Sequence, residues 1–106
     1  MQLNGSEVTG QDDAETTLGR ITNRFRTDSI FNSSGRHGSR FSRESVWNSN
    51  GTFGSRFSAY SAMNPNALKP PRIIKNGRVI GHLTVNSRIT GAVNPYTLKG
   101  ECEERL

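Results

Sequence analysis

The sequence predicts a mainly β, small single domain of short strands and turns, with a β-hairpin in the C-terminal half and disordered acidic tails. Three observations carry this: an Asn-Gly pair between two β-branched runs, a 16-residue repeat rich in Ser, Asn and Gly, and no helical period within the repeats. A chain of 106 residues suits one core. Leu, Ile, Val and Phe together number 22, barely above the fraction at which chains stay disordered, so stability is expected to be modest.

The hairpin is the firmest element. Residues 72–86 place Asn76-Gly77, which suits the positive φ angles of a type I′ turn, between Ile73-Ile74 and Val79-Ile80. The repeats come before it. Residues 29–42 align with residues 45–58 at nine of fourteen positions, and a partial third copy occupies 61–64 before Pro65 ends it. Asn32, Asn48 and Asn64 recur in register, as do the Gly-x-x-Gly pairs Gly35/Gly38 and Gly51/Gly54. These are read as structural: Asn and Ser side chains close turns onto nearby backbone, or stack as a ladder. A KH-type Gly-x-x-Gly loop joins two helices, whereas these are flanked by Ser, Asn and Phe.

Two further segments echo each other around the repeats. Leu18-Gly19-Arg20-Ile21-Thr22-Asn23 and Ile80-Gly81-His82-Leu83-Thr84-Val85-Asn86 both read as strands with the glycine at a bulge or a close backbone approach. The domain is thus placed at 17–96, with an acidic flexible tail at 1–16 and a C-terminal tail at 97–106. Lys69-Pro70-Pro71-Arg72 reads as a rigid lead-in to the hairpin, and any helical turn falls near Asn64 to Leu68.

Charge is segregated along the chain. Between residues 17 and 100 there are thirteen Lys and Arg against two acids, Asp28 and Glu44, a net of +11 within a chain of formal charge +5. Such a centre suits an acidic macromolecular partner, nucleic acid or acidic protein, unless the acidic tails fold back to mask it. Arg24, Arg26, Arg40, Arg43 and Arg56 are the candidate polyanion-binding residues. Arg24-Phe25-Arg26, Arg40-Phe41 and Arg56-Phe57 pair cations for phosphates with rings for stacking on bases. Strand alternation, however, places Phe41 and Phe57 in the core with their arginines outward.

No catalytic set emerges, and the chain reads as non-enzymatic with no cofactor. His37 and His82 lie in unrelated motifs, and no nucleophile elbow or phosphate-binding loop is present. Cys102 is the only cysteine, which excludes an internal disulfide and a cysteine-based metal cluster and suggests an exposed thiol. No stretch is long and apolar enough for a transmembrane segment, and Met1 to Gly10 lacks signal-peptide character. A native Met1 would imply the cytoplasm, and a removed signal peptide an envelope or secreted setting.

The repeats resemble those of uncharacterised bacterial proteins, many of them exported, whose units read roughly Ser-x-x-Asn-Pro-Tyr-Gly-x-Tyr-Gly-Ser-x-Tyr-Ser and end in a Gly-x-Leu-Thr-x-Asn strand. About residues 17–96 are covered. Asn32, Gly35, Gly38, Ser39 and Ser42 match, with their counterparts sixteen residues on, and Asn64-Pro65 and Asn94-Pro95-Tyr96 keep the Asn-Pro element. Ser33-Ser34 and Ser49-Asn50 replace Pro-Tyr, and Phe stands for Tyr. The resemblance implies an envelope or secreted setting and carries no activity. Two function classes therefore stand at this level: a binding module with a basic Arg-rich face, and a structural or assembly protein, of the bacterial envelope or as a homo-oligomer, in which 2.5 units stack against other copies.

Overall fold

A computed structural model describes residues 3–105, with the side chains beyond Glu101 outside the description. The chain forms β1 (Glu7–Thr9), β2 (Thr17–Arg20), β3 (Arg72–Lys75), β4 (Arg78–Leu83), β5 (Ala92–Val93) and one helix, α1 (Pro95–Arg105). All five strands join one sheet in the order β2-β1-β3-β4-β5, antiparallel except for the β4–β5 pair. The mainly β fold of a small domain is as the sequence indicates.

The hairpin forms as expected. Asn76 and Gly77 carry φ of 54° and 75°, the left-handed pair that a type I′ turn requires and that Asn and Gly tolerate best. A β-carbon at Gly77 would meet nothing within 4 Å, so any penalty there is conformational, not steric. Gly77→Val is therefore expected to cost about 1–2 kcal/mol, lowering the melting temperature by roughly 5–10 °C. An unchanged melting curve in differential scanning calorimetry would contradict this account of the turn.

Both glycines of the internal echo sit at irregularities in the sheet. The β1–β2 register shifts between Val8 and Thr9, beside Gly19, and the β3–β4 register shifts between Ile73 and Ile74, beside Gly81. Gly19 has φ +109°, and a β-carbon there would stand 2.7 Å from His37 Cβ, so bulge and close approach coincide.

The acidic N-terminal segment is not a tail. β1 lies between β2 and β3, and Val8 is fully buried in the core. Its alternation is real, with Ser6, Val8 and Gly10 inward and Glu7 outward, but two of the three inward residues are not hydrophobic. Composition therefore hid the strand. Glu7 pairs across the strands with Arg20 at 2.8 Å. The β1–β2 connection is closed by Asp12, which accepts hydrogen bonds from the Thr16 amide (2.9 Å) and hydroxyl (2.6 Å). Partial burial alone would raise the Asp12 carboxyl, but the Thr16 bonds and its own amide together hold it below its ordinary value.

The C-terminal tail is likewise corrected for residues 97–105, which belong to α1. Asn94 caps the helix through Oδ1 to the Tyr96 amide (2.8 Å), and Pro95 takes the first helical position. Among the described side chains of α1, Leu98 joins the hydrophobic core. No helix forms near Asn64 to Leu68, where the chain makes turns. The Cys102 side chain lies outside the described residues.

Residues 21–71 contain no strand, which corrects the expectation of extended pieces inside the repeats; they form a stack of turns. The stack is fastened to the sheet at both ends. Near β2, Ile30 donates to the Arg20 carbonyl (2.9 Å) and Arg20 to that of Asp28 (2.7 Å). Beyond β4, Val85 donates to the Ala62 carbonyl (2.8 Å) and the Asn86 amide side chain to that of Ala67 (2.9 Å). Pro70 and Pro71 are buried and lead directly into β3. Ile30, Val46 and Ala62, equivalent residues of the three units, all enter one core with Leu18, Ile73 and Leu83.

Candidate nucleic-acid interface

Each repeat unit is held by the same set of side-chain caps. Ser29, Ser45 and Ser61 accept the amide two residues on, at 3.0, 3.1 and 2.9 Å. Asn32, Asn48 and Asn64 do the same through Oδ1, at 3.1, 3.0 and 2.9 Å. Their Nδ2 groups reach back to the carbonyls of Arg26, Ser42 and Ser58, at 3.0, 3.1 and 3.0 Å. The asparagines thus close turns onto nearby backbone, each also tying its unit to the segment just before it, the first of the two structural roles expected for them. Gly38 and Gly54 lie so close to the backbone of Asn32 and Asn48 that a β-carbon would overlap those carbonyl oxygens. Gly35 and Gly51 pack on the Asn32 and Asn48 side chains, where a β-carbon would come within 3.2 and 3.3 Å.

A third cap sets the surface. Asn23, Ser39 and Ser55 accept the amides of Phe25 (3.0 Å), Phe41 (3.1 Å) and Phe57 (3.1 Å), turning the chain at each Arg-Phe pair. The rings point outward. Phe25, Phe41 and Phe57 are 76, 83 and 86 % exposed, which overturns the expectation that Phe41 and Phe57 lie in the core. Strand alternation does not apply where a Ser cap bends the chain, and the core position of each unit is already filled by Ile30, Val46 or Ala62. Scattered exposed apolar residues are ordinary, but three rings at equivalent positions of a repeat are one feature with one cause.

The five candidate arginines, Arg24, Arg26, Arg40, Arg43 and Arg56, are all exposed. Arg24 lies 5.1 Å from the Phe25 ring centroid and Arg40 5.6 Å from that of Phe41, within cation–π range. Arg26 is partly drawn to Asp28, at 3.9 Å. Successive turns thus present cations beside rings, with phosphate attraction and π stacking available in one motif.

A cleft opens between the first unit, Trp47 of the second and α1, and it contains residues that the sequence did not single out. It encloses about 640 Å³ and brings Arg40 and Phe41 together with Trp47, Tyr96 and Lys99. Tyr96 meets Trp47 edge to face at 5.9 Å, and the Lys99 ammonium stands 5.1 Å from the indole centroid. Trp47 is anchored by its Nε1–H, which donates to the Ile30 carbonyl at 2.6 Å. Tyr96 and Lys99 share a helix face by their i, i+3 spacing. The Asn94-Pro95 helix start was the available signal for their placement.

His37 and His82 are remote from this cleft in role: each ring Nδ1 sits 3.1 Å from a backbone carbonyl, of Glu44 and Thr90 respectively. Among the described residues, no group of three or more His, Cys, Asp or Glu could hold a metal ion, and no helix is long and apolar enough to cross a membrane. No family model, curated protein or solved structure matches the chain.

Proposed function

We propose that this protein is a non-enzymatic binding module whose Arg-rich turn face holds an acidic macromolecule, and that the macromolecule is single-stranded nucleic acid. The observation that carries the reading is the outward exposure of Phe25, Phe41 and Phe57 beside arginines on three equivalent turns. A cationic groove with rings for successive bases is how proteins hold single strands without sequence preference. An acidic protein would engage the cations but has less use for the rings.

The assembly reading is less well supported. Stacking against other copies needs repeat faces that the chain cannot bury itself, yet Ile30, Val46 and Ala62 are fully buried in a core shared with the chain's own sheet. The edge beside β2 is covered by the Arg20–Ser29 bridge, and β5 is only two residues long.

Fluorescence-anisotropy titration with labelled single- and double-stranded oligonucleotides at low and moderate salt tests the proposal. Single strands are expected to bind more tightly, with a log–log salt slope of about −0.7 per neutralised phosphate. Replacing the five arginines by Gln should flatten that slope with stability changed by less than about 0.5 kcal/mol per site. Phe25, Phe41 and Phe57 together changed to Ser should weaken binding by roughly 100-fold or more, since stacking contributes about 1–3 kcal/mol per base. No binding at low salt would remove nucleic acid as the partner.

A further inference from the structure

We propose that the cleft between the first repeat unit, Trp47 and α1 receives one nucleotide of a bound single strand, its base among Phe41, Trp47 and Tyr96 and its phosphate beside Arg40 and Lys99. The proposal rests on the nucleic-acid reading and adds to it a specific seat, off the regular row of turns. Three aromatic side chains from two distant parts of the chain converge there, with two cations and, among the described residues, no carboxylate in the lining.

The geometry narrows the ligand class. The indole N–H of Trp47 is already committed to the Ile30 carbonyl, so the ring offers π surface and no donor. Tyr96 and Phe41 are 62 and 83 % exposed, so their rings are accessible to a planar group entering from solvent. Lys99 and Arg40 stand over the Trp47 and Phe41 rings respectively, where an anion linked to a stacked base would meet them. A flat aromatic group bearing a negative charge satisfies both halves of the cleft. A nucleotide is such a group, and Arg40-Phe41 belongs at once to the cleft and to the row of turns, which lets one strand occupy both.

Trp47 is the only tryptophan in the chain, so its emission reports on this cleft alone. Titration of the full-length protein with a short oligothymidine, followed in parallel by Trp47 emission and by anisotropy of a labelled strand, should give saturable quenching with the same midpoint as binding. Tyr96→Ala and Lys99→Gln, both exposed positions, should each lower affinity by roughly 5- to 100-fold and shift the quenching midpoint equally, with circular dichroism unchanged. Binding seen by anisotropy with Trp47 emission unmoved would overturn the cleft while leaving the turn face as the binding site. No binding in either signal would overturn both. Equal quenching by inorganic polyphosphate, which has no base to stack, would overturn the cleft as a nucleotide seat. Thymidine monophosphate that quenches at the same concentration as the oligonucleotide would overturn its assignment to a strand.

Discussion

Gly54→Ala is expected to lower the melting temperature by about 15 °C or more, or to leave the protein unfolded at room temperature. The added methyl group would overlap the Asn48 carbonyl oxygen and stand 2.7 Å from the Val46 carbonyl oxygen. Both are backbone atoms and cannot swing aside as a side chain would. Both also belong to the segment whose Asn48 closes the unit and whose Val46 enters the core. Relief requires moving the turn, and overpacking of this kind costs about 1–3 kcal/mol or more, against a total stability of about 5–15 kcal/mol. At roughly 4–8 °C per kcal/mol, a cost near the upper bound gives the stated shift. Gly38→Ala should behave alike, because its β-carbon meets the equivalent backbone of Asn32. Gly100→Ala is the control: it lies in α1 with nothing within 4 Å of the new atom, and should be neutral or slightly stabilising. Thermal denaturation of the three variants side by side decides the matter, and equal melting temperatures would sink the steric account.

Removal of residues 1–16 should abolish folding, although four of the chain's carboxylates leave with it. On charge alone the deletion would be expected to unmask the basic face and tighten binding to a polyanion. The sheet forbids that experiment. β1 supplies the pairing partner of both β2 and β3, Val8 fills the core, and Gly10 makes room for the buried Phe53 ring of the second unit. Loss of the strand opens the sheet through its middle and leaves β2 unattached to β3. Circular dichroism of the truncated protein should resemble an unfolded chain, whereas Asp13→Asn with Glu15→Gln, both exposed, should leave the spectrum intact. A folded truncation would mean that β1 is dispensable.

What the sequence revealed and what it hid divide along physical lines. Asn76-Gly77 was readable because a type I′ turn is a local demand on two backbone angles. The register of Asn32, Asn48 and Asn64 was readable because each side chain bonds only to backbone two residues ahead and six residues behind. β1 was not, because its inward side is Ser6, Val8 and Gly10, and its partners are chosen by contacts more than sixty residues away as well as by β2. The outward turn of Phe41 and Phe57 was missed because alternation assumes extended backbone, and the Ser39 and Ser55 hydroxyls hold it bent. α1 lacks an apolar stripe, with Leu98 its only described core residue, so only its Asn94-Pro95 start announced it. The cleft needed that helix in place before Tyr96 and Lys99 could be set beside Trp47.

The position of β1 also bears on synthesis. It leaves the ribosome well before its second neighbour, β3, which begins only at Arg72. During all the translation between them, the β1–β2 pair has one edge with no strand beside it, the condition under which nascent chains pair with the wrong neighbour. That edge carries only three residues, one of them the charged Glu7. A strand so short and polar gives a second chain little to hold, so the composition that hid β1 from inspection also guards it until β3 arrives.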